Sequence, residues 1–343
     1  MLEVRRQYWI FSGSLAVAFA SLGLWSWLQP VEPTYHGRKL TAWLGSHSVW
    51  SGGSVIDLVP LEPPVEEALR QIGTNATPTL LKLMSRPDPP KWIDKLAELM
   101  ERQDRIKIDW RWWAPYERFG EAVCAFRVLG PAVSNSAPAI IKVYRKDFGL
   151  SSHWACLESL AGIGEASPLV IPFLVSVATN KNDIDHDSAI GLLGHLHQRP
   201  DLVVPPLIVL LNDPSATADK RTVASALSMF GPYARPSVPA LLNLIHPDAT
   251  DTGAKSMNIR IIKMLGRIQC DAEVVVPIIR QCLEDQDEIH QTTMIKALCA
   301  FGAQAESTIP YLRTRLTSTN NEVRTAAEEA ISQITFESAQ NRK

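Results

Sequence analysis

Cysteine is scarce and never clustered: Cys124, Cys156, Cys270, Cys282 and Cys299 are odd in number and form no C-x-x-C pair. Zinc-ribbon and thioredoxin-like chemistry is excluded. Four of the five fall inside helical patterns, where a free Cys serves as a small apolar residue; a Cys124 to Cys156 bridge is the alternative in an oxidising compartment. Catalytic signatures are missing too, with no H-E-x-x-H, G-x-S-x-G, P-loop or G-x-G-x-x-G, and Gly162-Ile163-Gly164 does no more than end a helix. Nor is there an excess of either charge: the formal net charge is -2. Residues 1–150 hold 18 Lys and Arg against 15 Asp and Glu, and the remainder holds 16 against 21. Neither half is basic enough to mark a nucleic-acid-binding surface.

One stretch lacks charge altogether. Between Arg6 and Glu32 there is none, and residues 8–28 read YWIFSGSLAVAFASLGLWSWL. As a helix these residues span about 31 Å, the thickness of a bilayer core. Tyr8 and Trp9 mark one interface and Trp25 and Trp27 the other, as an aromatic belt does. Ala18-Phe19-Ala20 offers a signal-peptidase site, but apolar residues continue to Leu28, which favours an uncleaved anchor. Arg5 and Arg6 favour an inside N-terminus, while Arg38 and Lys39 weaken the bias. The expectation is a single-pass membrane protein with its remainder outside the cytoplasm.

What the chain has in abundance is a repeat. In residues 222–245, Val223, Ala226, Leu227 and Phe230 recur at helical spacing, and so do Val238, Leu241, Leu242 and Ile245. Gly231 stands where the first helix ends and Pro239 where the second begins. Prolines at 78, 138, 172, 205, 239, 277 and 310 mark seven such units, each followed two residues later by Leu or Ile. Gly130, Gly164, Gly231 and Gly302 lie eight residues before four of these prolines, with His197 and Gln269 as exceptions. Periods of this size predict a solenoid.

The pattern A-x-x-L-x-x-(L/I/F)-G-(P/x)-x-A followed by an apolar-Pro pair resembles HEAT repeats, of the short kind also seen in phycobilin-lyase-type repeats. Arg221, Arg260 and Arg324 match the basic residue near the start of the first helix in that family. Tetratricopeptide repeats share the period but place their Pro after the second helix. The resemblance implies an all-α, right-handed α-solenoid of about seven helix pairs, here behind a single N-terminal transmembrane helix. It covers about residues 64–335 and is nearly silent on activity.

The expected organisation is a short segment at 1–7, a signal anchor at 8–28, and a linker with a short capping helix at 29–64. The solenoid follows at 65–335 with an insert at 85–116, and then a disordered tail at 336–343. Within the linker, YHGRKLTAWL at 35–44 resembles a Y-x-G-(K/R)-x-L-x-x-W-L segment ahead of the repeats in some bacterial membrane-anchored HEAT proteins. Leu40, Trp43 and Leu44 there would cap the open end of the array. The insert ends in DWRWWAPY, whose Trp110, Trp112 and Trp113 either pack over the first repeats or contact a partner or the bilayer.

The stretch DIDHDSAIGLLGHLH gathers His186, His195 and His197 with Asp183, Asp185 and Asp187, the residue types of a metal site. An EF-hand would need Gly at its sixth position and Glu at its twelfth, and Ser188 and Gly194 stand there. His195 and His197 lie about 200° apart on a helix and share no ligand unless the helix ends between them. The di-iron hydroxylases built from HEAT-like repeats resemble one another through His-Glu pairs, and this chain has none.

Four residues after each Pro, the face opposite the core carries Lys82, Lys142, Ser176, Val209, Asn243, Gln281 and Thr314. The row has no paired carboxylates, so it suits a polypeptide better than a reaction. The function expected is a non-catalytic, membrane-tethered scaffold in a bacterial envelope, binding protein partners through its repeats with no cofactor, metal, nucleic acid or evident small-molecule substrate. The alternatives are a repeat-type lyase or metal-dependent enzyme, and a nucleic-acid-binding HEAT protein.

Overall fold

The computed structural model describes residues 31–45, 60–87, 115–248, 251–284 and 288–342. The anchor at 8–28 and the insert tryptophans therefore lie outside the described residues. The chain divides into two compact units, Met1–Ser136 and Ala137–Lys343.

The first unit opens with a feature the all-α expectation did not contain. Thr34–Tyr35 (β1) pairs antiparallel with Arg38–Lys39 (β2), Thr34 opposite Lys39. His36 and Gly37 turn between them with φ of 48° and 74°, the conformation a two-residue hairpin loop needs. The capping helix follows directly as α1, Leu40–Leu44. Leu40 and Leu44 are fully buried, and the Trp43 indole N–H donates to the Tyr35 carbonyl at 3.2 Å. Arg38 lies over the Trp43 ring, so the hairpin and helix brace each other.

Helix α1 packs on α2, Pro63–Ile72. Proline at its start costs no hydrogen bond, and Val65, Ala68, Leu69 and Ile72 bury one helical stripe. Gly73 ends α2 at φ 58° and leads into α3, Thr77–Met84. Both helices pack on α4, Pro115–Leu129. A 3₁₀ turn at Gly130–Ser136 completes the described part of this unit.

The second unit is an array. Its first helices are α6 (Leu150–Ile163), α8 (His186–Leu196), α10 (Lys220–Met229), α12 (Thr252–Ile268) and α14 (Glu288–Ala300), closed by α16 (Asn321–Asn341). Each packs on the next in chain order. Its second helices are α5 (Ala137–Tyr144), α7 (Val170–Thr179), α9 (Pro200–Asn212), α11 (Val238–Leu242), α13 (Ala272–Glu284) and α15 (Ile309–Arg315). Helix α7 packs on α9, and α9 on α11. Each repeat buries its apolar face against its neighbours, as a solenoid requires.

The turn between the helices of a repeat takes two forms. Where glycine stands at the turn, at Gly130, Gly164, Gly231 and Gly302, φ lies between 48° and 57° and a 3₁₀ turn follows. In the three longer of these turns a hydroxyl closes the end. Ser136 donates to Val133 O, Ser237 to Ala234 O and Thr308 to Ala305 O, all at 2.7 Å or less. At the two exceptions the backbone is left-handed all the same, at φ 52° for His197 and 54° for Gln269. There a second left-handed residue follows, Arg199 or Asp271. The next helix then starts early, so Pro205 and Pro277 sit inside α9 and α13 rather than opening them. Acidic Asp201 and Glu273 occupy those earlier first turns, where the helix dipole favours them.

Two crossings are unusually close. A Cβ built on Gly194 would lie 2.7 Å from the Ala226 Cα, and one on Gly266 would lie 3.1 Å from the Ala297 Cα. Small residues let α8 approach α10 and α12 approach α14. Asn258, fully buried at the start of the α12 apolar stripe, accepts from the His246 N–H and donates to the His246 carbonyl, fixing the loop before its own helix.

The tail expected to be disordered from 336 is instead helical to Asn341. Ile334 and Ser338 extend the buried stripe by one more turn, and the Arg342 guanidinium pairs with Glu306. The polar sequence reads as frayed, but alternate turns still present a buried face.

Candidate partner-binding surface

The second-helix row is exposed at every position. Lys82 is exposed in the first unit, and Lys142, Ser176, Val209, Asn243, Gln281 and Thr314 are exposed in the second. The cause is geometric. The residue two beyond each Pro lies in the buried stripe, and two further residues turn the helix by about 200°, which leaves the fourth position on the opposite side. Val209 is the conspicuous member, an apolar side chain with 67% of its surface in water. Trp110, Trp112 and Trp113, and Tyr8, Trp9, Trp25 and Trp27, lie outside the described residues. Among the described residues no helix is long and apolar enough to cross a membrane.

Asp183 and Asp185 of the histidine and aspartate cluster are drawn into contacts within the structure, while His195 and His197 are exposed. Asp185 is nearly buried, and its Oδ2 accepts from the Tyr144 hydroxyl at 3.0 Å and lies 2.9 Å from His153 Nδ1. Tyr144 also donates to Asp183 Oδ1 at 2.8 Å and stacks on the His153 ring. Burial, together with the carboxylates of Asp183 and Asp185, holds the Tyr144 phenol far above the ordinary tyrosine range. Asp187 accepts from the Asp219 backbone N–H at 3.0 Å. Helix α8 ends at Leu196, so His195 and His197 are separated by a helix end, with His197 at the left-handed cap and edge-on to Phe230. Among the described residues no three His, Cys, Asp or Glu side chains are placed to hold a metal ion. Sequence reasoning singled out the aspartates but missed Tyr144 and His153, which lie 41 and 32 residues from Asp185.

All five cysteines are free thiols. Burial pushes Cys156 up to about 12 and Cys124 to about 11, so neither is a ready nucleophile.

Two clefts open on the second unit. One, of about 700 Å³, lies along the turns and is lined by Arg235, Cys270, Glu273 and Gln304; Arg235 is already paired with Asp271 at 2.8 Å. The other, of about 450 Å³, lies over the outer face of α10 between α8 and α12. It brings together two of the three arginines singled out in the sequence. Arg221 pairs with Asp219 at 3.0 Å, whereas Arg260 has no carboxylate partner among the described residues. Arg324, outside the cleft, donates to the Ser318 carbonyl at 2.7 Å and ties down its preceding loop.

Residues 249–332, which span α12 to most of α16, match the family model of HEAT repeats. This supports a HEAT-repeat protein. No curated protein matches the chain. Among solved structures it is similar to the crystal structure of an engineered protein from a structural-genomics consortium, at 16% identity and a TM-score of 0.43 over 79% of this chain and 78% of that one. HEAT repeats commonly serve as protein-interaction scaffolds, and the matched repeats are the part of the array that carries Asn258, the Gly266 crossing and Arg260.

Proposed function

We propose that this chain is a non-catalytic scaffold that binds protein partners through the surface of its HEAT-like repeats. The observation that carries this reading is the second-helix row, exposed at each of its seven positions while Tyr144, Asp183 and Asp185 are engaged with one another. The row presents amides, hydroxyls, two lysines and one valine, a mixture suited to polypeptide and poor in proton-transfer groups. The reading extends to a membrane tether at residues 8–28, N-terminus inside, with the repeats outside the cytoplasm in a bacterial envelope. Its support is the uncharged, aromatic-flanked sequence alone. Such a tether raises the effective concentration of any partner in the same membrane.

The test is site-specific photo-crosslinking in cells. Probes at Asn243 and Gln281 of the full-length chain are expected to capture one and the same partner, while a probe at exposed Glu328 on α16 captures none. Equal capture from all three positions, or none from any, overturns the row as the binding surface.

A further inference from the structure

The cleft over α10 is basic in a half of the chain that is acidic. Residues 151–343 carry 16 Lys and Arg against 21 Asp and Glu. Helix α12 nonetheless holds Lys255, Arg260, Lys263 and Arg267 without one acidic residue in its 17 positions. Of these Arg260 lines the cleft, facing Arg221 of α10 and exposed His195 of α8. Among the described residues that line the cleft Asp219 is the acidic one, with Asp187 bonded to its backbone N–H at 3.0 Å, and it is already committed. It accepts from the Arg221 backbone N–H at 3.0 Å as the α10 cap and pairs with the Arg221 guanidinium. Arg260 is left exposed and without a carboxylate among the described residues.

The walls are shaped for a chain segment. Gly191 has no side chain, and a Cβ placed there would meet nothing within 4 Å, so the α8 side is open. Met229 and Met264 line the cleft, unbranched and polarisable, and adapt to different apolar groups. Thr222 and Ser225 add hydroxyls from α10. Among the described residues no aromatic side chain lines the cleft to offer the stacking platform that single-stranded nucleic acids use.

We propose that this cleft binds an acidic peptide segment of a protein partner, with a carboxylate on Arg260 and an adjoining apolar side chain against Met229 and Met264. Arginine is suited to this because its planar fork meets a carboxylate with two hydrogen bonds. The proposal rests on the scaffold reading and gives it one partner chemistry, at a place distinct from the second-helix row.

The experiment uses the full-length chain in detergent micelles and fluorescein-labelled dodecapeptides of alternating glutamate and leucine, followed by anisotropy. The glutamate peptide should bind at least 10-fold more tightly than its glutamine counterpart, and Arg260→Ala should remove most of that difference. Arg260→Lys should retain part of it, because charge remains without the fork. Arg260 is exposed and has no carboxylate partner among the described residues, so unchanged thermal melts are expected for both variants. Equal binding of the two peptides, no effect of Arg260→Ala, or tighter binding of a labelled single-stranded oligonucleotide overturns the proposal. Failure here with capture through Asn243 and Gln281 removes the cleft and leaves the scaffold; failure of both removes the scaffold.

Discussion

His197 and Gln269 hold a backbone conformation that glycine holds in the other repeats of the second unit. A left-handed residue with a Cβ costs about 1–2 kcal/mol. Each side chain returns part of that cost: Gln269 donates to the Ala300 carbonyl at 2.9 Å, and His197 rests edge-on against Phe230. The His197 contact is the weaker, since it makes no hydrogen bond of that kind. His197→Gly should therefore stabilise the protein by roughly 1 kcal/mol, and Gln269→Gly should be close to neutral; urea denaturation of both variants checks the ordering. At Tyr144 the sign is opposite. Tyr144→Phe strips a donor from two carboxylates, one of them buried, and should cost about 1–3 kcal/mol by the same assay. The pH dependence follows from the raised phenol. The folded state holds the proton that the unfolded chain loses near pH 10, so the contribution is complete below about pH 10 and is lost as pH rises further. Wild-type stability should fall more steeply than that of Tyr144→Phe above pH 10. This network was illegible in the sequence because its members come from three elements, α5, α6 and the loop before α8, and nothing local in any of them announces the others.

At the scale of elements, two glycines of α8 separate packing from propensity. Gly194 faces the α10 backbone at 2.7 Å, where no side-chain movement relieves a new methyl group, whereas Gly191 faces open space. Alanine gains about 1 kcal/mol over glycine in a helix. At Gly191 that gain stands alone, so Gly191→Ala should raise stability by roughly 0.5–1 kcal/mol. At Gly194 overpacking of about 1–3 kcal/mol opposes it and wins, so Gly194→Ala should lower the melting temperature. Helix periodicity and the proline register were legible because each is local, and both reappear as the buried stripe and the helix starts of α3, α5, α11 and α15. The early starts of α9 and α13 were signalled as well, by Pro200 with Asp201 and by Ala272 with Glu273, residues that suit a helix start better than a turn. The β1–β2 hairpin was hidden because its strands are two residues long, too short for alternation to register. The last turns of α16 were hidden because their stability comes from contacts with the preceding repeat.

For the whole molecule, the tether proposed at residues 8–28 would decide where any partner is met. The full chain is expected to stay with the membrane fraction through alkaline carbonate extraction, and a chain lacking residues 1–30 to leave it. Release of the full chain would remove the tether without touching the repeats. The repeats of the second unit are joined along one edge by side chains that each reach a single neighbour. Gln198 accepts from the Glu165 N–H, Arg235 pairs with Asp271, Gln269 holds Ala300, and Arg342 closes on Glu306. A link of this kind has no partner further away, so opening one end leaves the next joint intact. Amide hydrogen exchange should accordingly run as a gradient, fastest in the outermost helices of the unit and slowest in α10 and α12, and the array would fray like a zip rather than melt as a block.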